Sequence, residues 1–268
     1  DRRPLTMPSQ SITTDPNKPS AADLEEGQRR YAEVSARIAR AAERAGRSPE
    51  DVTLVGVAKK QPPARILAAI AAGVRVLGQS YIQEAREVRP MIEAALASDP
   101  AMAEAKLEWR MVGRLQRNKA GLAARLFEAV ETVDRPKLVH TLSRRAEDEG
   151  RQLEVLIQVS LCGEPQKGGC ERDDLEALAE EILSTRFLRL AGLMTIPAAA
   201  DDPENARPAF RELRELRRVV ARLDPKLANA ALSMGMSSDL EVAIEEGATL
   251  VRVGEALFGD RIVPAAQT

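Results

Sequence analysis

Two basic residues stand in strand-like apolar sequence: Lys59 closes the run VTLVGVAK, Val52 to Lys59, and Arg252 sits between Val251 and Val253. An amine desolvated among apolar residues and held near other cations gives up its proton more readily, which frees it to form a Schiff base with an aldehyde. Alternate strand residues face opposite sides, so one of Lys59 and Lys60 faces inward and the other away; a solvent-facing strand-end lysine is the plainer alternative. An arginine inside a strand needs an acceptor if it faces the interior, supplied by a ligand or by a structural ion pair. A third element is the segment SMGMSSDLEVAIEEG. Here Ser237 or Ser238 can cap the helix that follows, and the free N–H groups of a helix start suit a phosphate, although a plain cap explains the serine equally well. Gly254-Glu255-Ala256 forms a second small-residue turn opening a short helix.

Composition narrows the chemistry. With 268 residues, 44% of them hydrophobic, the chain has enough apolar content for a real core. Its net charge of −2 gives no global field for nucleic acid or an anionic membrane, so an anion must be met locally. Aromatics are only 3%, which argues against stacking platforms. The single histidine, His140, lies mid-helix among charged residues and reads as structural or surface, against a His-based metal site or a Ser-His-Asp hydrolase. Cys162 and Cys170 cannot build a disulfide framework and read as reduced, and no apolar run approaches the roughly 18 residues of a membrane span. A soluble protein of the cytoplasm is expected.

These residues must be positioned by regular elements. Residues 1–20 are polar and proline-bearing and read as a disordered leader, followed by a helix from Ala21 to Ala45. Strands are then expected at Val52–Lys59, Val74–Gly78, Leu107–Gly113, Ala129–Val133, Val155–Leu161, Leu188–Ile196, Ala228–Met234 and Thr249–Gly254, each followed by a helix. Eight such units predict an α/β fold, a TIM-type (β/α)8 barrel over 21–262 with a tail at 263–268. A doubly wound open sheet fits less well, because Lys-Lys-Gln-Pro stands after the first strand in place of a glycine-rich phosphate loop. In such barrels the reacting groups stand at the carboxyl ends of the strands. Those ends carry cationic and hydroxylic residues here, without the carboxylate clusters that hold metals or hydrolyse glycosides.

The segments LVGVAKKQP, LGQSYIQE, LEWRMVGRLQRNK, ETVDR, VLIQVSLCGEPQKGG, LAGLMTIP, LSMGMSSDLEVAI and VRVGEALFG, in that order, resemble the pyridoxal phosphate homeostasis protein family, of the YggS/PROSC type. The resemblance spans roughly Val52 to Gly259 and implies a fold like the N-terminal barrel of alanine racemase, with pyridoxal 5'-phosphate at the barrel mouth. By motif, Lys59 matches the Schiff-base lysine and Arg252 the arginine facing the pyridine nitrogen. Ser233 and Ser237, with backbone from Gly254 and Glu255, match the phosphate cup, and Ser80 and Met234 fall beside the cofactor. A guanidinium beside the ring nitrogen keeps that nitrogen unprotonated and mutes carbanion chemistry.

The chain also departs from that family's pattern. Gln79 and Ser80 stand where a glutamate and an asparagine are usual, Arg110 replaces a histidine, Ala58 a serine, and Glu255 a threonine or small residue. Glu255 is tolerable beside a phosphate only if its side chain turns to solvent, and Arg110 offers a new cation. The expectation is a monomer or weak homodimer that holds pyridoxal phosphate, acts in vitamin B6 homeostasis without robust catalysis, and has apo-enzymes that use the cofactor as recipients. With no second domain expected after the barrel, two-base racemisation is disfavoured. Alternatives are a weakly active racemase or lyase, an interaction protein that has lost the ligand and, more distantly, a Schiff-base aldolase.

Overall fold

The computed structural model describes residues 17–260 apart from 101, 165 and 166. Most of the expected leader and the whole tail at 263–268 lie outside the described residues. Eight parallel strands close into a barrel in sequence order: β1 (Thr53–Val57), β2 (Val76–Gln79), β3 (Glu108–Met111), β4 (Ala129–Val133), β5 (Leu153–Gln158), β6 (Leu188–Met194), β7 (Ala231–Ser233) and β8 (Leu250–Val253). The helices between them are α2 (Pro63–Ala72), α3 (Ile82–Ala97), α4 (Ala120–Leu126), α5 (Pro136–Asp148), α6 (Leu175–Leu183), α7 (Arg207–Leu223) and α8 (Leu240–Glu245), with α9 (Glu255–Phe258) after β8. The barrel predicted from the strand-helix rhythm is the fold observed.

Paired residues of neighbouring parallel strands share a face, so register separates lumen from outer surface. Val55 pairs with Arg252, Gly78 with Arg110 and Met194 with Ser233. The lumen is filled by Val55, Val112, Leu156, Met194 and Leu250, while the intervening strand residues pack outward against the helices. Gly192 shows how tightly the sheet is drawn at β6: a Cβ there would lie 2.1 Å from the Ala231 carbonyl oxygen, so only glycine lets β7 pass.

Helix α1 (Ala21–Arg44) precedes the barrel. Ser20 and Asp23 form a reciprocal capping box at its start, and Val34, Ile38, Ala41 and Ala42 form its buried stripe. It packs against α2, α8 and α9.

Several boundaries differ from the sequence reading for local reasons. Strand β1 stops at Val57, two residues short, because the chain turns at Lys60, which has a left-handed φ of 55°. Strand β7 is only three residues long, because Pro225–Asn229 forms a 3₁₀ turn whose first N–H groups are met by Asp224. Neither Ser237 nor Ser238 caps the helix that follows. Asp239 precedes α8, and its carboxylate takes the Met236 N–H at 2.6 Å, so the loop is closed by the stronger acceptor.

Candidate functional site at the barrel mouth

Lys59 lies two residues beyond β1 on the face of Val55 and Val57, and is half-buried. Its Nζ sits 4.8 Å from the centroid of the Tyr81 ring, which the β2–α3 loop brings across the mouth. Lys60 is exposed and turned away, its N–H donating to Glu84 at 3.2 Å. The alternation expected of the two lysines therefore assigns Lys59 to the mouth. A cation over an aromatic face is attracted by the ring quadrupole, so Tyr81 gives the amine a fixed resting place.

Beneath it, Arg252 is buried within the barrel. Its Nη1 donates to Ser233 Oγ at 2.7 Å and its Nη2 to the Thr195 carbonyl at 2.8 Å. Ser233 Oγ donates onward to Glu131 Oε2 at 2.5 Å, and Arg110 Nε donates to the other oxygen of Glu131 at 2.5 Å. Arg110 also reaches Glu154 at 3.0 Å and, more closely, Glu108. One polar chain thus crosses the lumen through β3, β4, β7 and β8. Burial acts against the charge of Arg110, but its three carboxylates more than offset this and hold it firmly protonated. Burial pulls the Arg252 guanidinium down, with Glu131 and Asp239 opposing. Asp239 itself is pushed up by burial despite accepting the Met236 N–H.

The remaining expectations separate. Ser233 and Ser237 do not stand as one cup: the Ser233 hydroxyl is committed to Glu131 and Arg252 inside the barrel, whereas Ser237 is half-exposed in the β7–α8 loop. That loop is fixed from outside by Arg37 of α1, which donates to the Ser237 carbonyl at 2.8 Å and pairs with Glu241 at 2.6 Å. Gly235, at φ 93°, is required there, since a Cβ would come within 2.5 Å of the Ala243 Cβ. Met234 belongs to the outer core, so any contact it makes at the mouth runs through its backbone. Gly254 leads into α9, and Glu255 is exposed, with its carbonyl accepting from Arg30 at 3.3 Å. Ser80 is half-buried at the end of β2, beside a Gln79 whose side-chain amide is buried without a hydrogen-bond partner.

Arg110 is not a new cation for a ligand, because its guanidinium is taken by three carboxylates of the barrel itself. His140 is exposed on α5 with Nε2 3.3 Å from Glu181. Burial, reinforced by Asp174 and Asp134, pushes the Cys170 thiol up to about 12, while Cys162 is half-exposed; both are free thiols.

Thr195 falls at a strand end that the sequence places at the mouth, whereas Glu131 and the ring of Tyr81 are not assigned to this region by the sequence. The polar Glu131 and Thr132 in an otherwise apolar strand were the available signal for the glutamate.

A parallel (β/α)8 barrel with a lysine at the mouth after its first strand and an arginine inside its last defines the class, and residues 30–262 match the family model of the alanine racemase N-terminal domain. Within that class, the chain belongs to the pyridoxal phosphate homeostasis protein family. A relative of that name from Pseudomonas aeruginosa is 43% identical over 86% of this chain and 94% of its own length. The Escherichia coli K12 protein of the same name is 38% identical over 86% of this chain and 94% of its own. Among solved structures, PipY of Synechococcus elongatus with pyridoxal phosphate bound is 34% identical and superposes with a TM-score of 0.70, covering 83% of this chain and all (100%) of PipY. An alanine racemase of Clostridium difficile, at 13% identity and a TM-score of 0.64, covers 92% of this chain and 58% of the racemase, and shares the fold alone. No helix among the described residues is long and apolar enough to cross a membrane.

Proposed function

We propose that this chain binds pyridoxal 5'-phosphate at the barrel mouth, holds it as a Schiff base through Lys59, and serves vitamin B6 homeostasis in the cytoplasm without robust catalysis. The observation that carries the reading is the half-buried residue Lys59 at the mouth, beyond the end of β1, with its amine over the Tyr81 ring. Pyridoxal phosphate supplies an aldehyde, a ring nitrogen and a phosphate, and the residues present fit all three. Lys59 offers the amine. Ser237, with the backbone of Gly254 and Glu255, offers hydroxyl and N–H donors to a dianion, and Glu255 is itself an exposed residue. Ser80 and the backbone of Met234 border the same end of the barrel.

Arg252 is the reason to expect little catalysis. It is a donor only, held in place by Ser233 and Thr195, and an arginine does not give up its proton to a pyridine nitrogen. A ring nitrogen left unprotonated withdraws electrons weakly. The bound ligand of PipY and the shared name of the curated relatives support the cofactor and the homeostatic role.

An absorbance spectrum taken before and after adding pyridoxal phosphate tests this directly. The wild-type chain is expected to turn yellow and to trap the cofactor on borohydride reduction, and Lys59→Ala to lose the trapped adduct. A Lys59→Ala chain that traps as much cofactor as the parent would overturn the lysine assignment. Sustained Lys59-dependent exchange of an amino acid's α-proton would instead favour the weak racemase or lyase reading.

A further inference from the structure

Three open grooves that share lining residues lie along one side of the barrel, the first beside the start of α3 and the third between α4 and α5. The first, about 300 Å³, is bordered by Ser80, Tyr81, Arg114 and Lys119. The second, about 430 Å³, shares Arg114 with it and adds Arg117 and Arg135. The third, about 610 Å³, shares Arg117 with the second and extends to His140, Arg144 and Arg145. No Asp or Glu lines any of the three, in a chain whose net charge is −2. Arg135 is paired with Asp134, and Arg145 with Asp148 at 2.9 Å. Among the described residues, Arg114, Arg117, Lys119 and Arg144 have no carboxylate within ion-pair distance, so four cations beside or near the mouth are left for an external anion.

We infer that this band is a docking surface for an acidic face of another protein, and that such a partner would sit over the mouth; its identity as a recipient of the cofactor rests on the function proposed above. Like-charged surfaces repel, so a second copy of the same band is not the occupant. A protein face is favoured over nucleic acid because the band adjoins a mouth with a single exposed aromatic, Tyr81, and offers no stacking row for bases. The band's purpose would be steering and orientation: complementary charge raises the encounter rate and fixes register, and weakens with salt.

The test uses the full chain, with and without added pyridoxal phosphate, and a labelled polyglutamate peptide as probe. Anisotropy titrations are expected to show binding that weakens as salt rises through physiological ionic strength. The double reversal Arg117→Glu with Arg144→Glu is expected to weaken it on the order of tenfold. Arg218→Glu, an exposed reversal on α7, serves as control and is expected to leave binding unchanged. The double variant is also expected to take up cofactor like the parent, which shows that it is folded. Peptide binding unchanged by the double reversal would overturn the inference, as would tighter, reversal-sensitive binding of a single-stranded oligonucleotide of matched charge. A chain that takes up no cofactor yet binds the peptide through Arg117 and Arg144 would refute the cofactor reading and sustain the acidic docking surface.

Discussion

At the scale of single residues, the lumen arginines are the most constrained groups in the chain. Arg110 faces Glu108, Glu131 and Glu154, and Glu131 is fully buried. Removing one partner of a buried ion pair leaves an uncompensated charge and costs roughly 3–5 kcal/mol. Arg110→Met is therefore expected to lower stability by about that much, since it leaves Glu131 charged and half-satisfied. Adding Glu131→Gln should recover part of the loss, because the neutral amide can still accept from Ser233. Urea-unfolding midpoints of the two single variants and the double variant check this coupling; simple additivity of the two losses would contradict the network. Lys59 and Arg252 were legible in the sequence because a basic residue in an apolar run is conspicuous. Tyr81 was not assigned, because its ring reaches Lys59 only across two loops. The partition of Ser233 from Ser237 was invisible without the register, which turns one inward while the loop leaves the other at the mouth.

Around the apolar core, arginines tie several elements to one another. Three arginines of α7, Arg207, Arg211 and Arg214, converge on Glu246, the residue that follows α8, each at 3.1 Å. Burial acts to raise the Glu246 carboxyl, but hydrogen bonds from Arg211 and Arg207 and the charge of Arg214 prevail and hold it below the usual glutamate range. A carboxyl whose folded value lies below its unfolded value adds stability that is fully present above the ordinary value of 4.5 and is lost as pH falls through the lowered one. Glu246→Gln is accordingly expected to cost about 1–2 kcal/mol at neutral pH, the arginines being partly solvated. The gap from the parent should close in acid, and unfolding midpoints measured at both pH values would show it. The strand-helix rhythm was readable because each strand is a short apolar run and each helix carries a polar face. The ends of the elements were not. The sequence reading put caps on Ser237 or Ser238, where Asp239 closes the loop, and gave β7 a length that Pro225 and Asp224 cut short.

Across the whole molecule, a ligand that binds only the folded state stabilises it by mass action. Pyridoxal phosphate at about a hundred times its dissociation constant would add about 2.7 kcal/mol, or roughly 5–10 °C in melting temperature for a chain of this size. Thermal unfolding with and without the cofactor is expected to show that rise in the parent and a smaller one in Lys59→Ala; no rise in the parent would count against specific binding.

The barrel closes by pairing β1 with β8, Val55 beside Arg252. Lys59 follows the first of these strands and Arg252 lies in the second, so the two flank the seam that joins opposite ends of the fold. That contact joins the first strand of the barrel to the last, so its loop-closure entropy is the largest of any neighbouring strand pair, which favours its forming late. The mouth therefore exists only after β8 has been synthesised and the last seam has zipped, and a half-folded barrel presents no formed pocket to a reactive aldehyde.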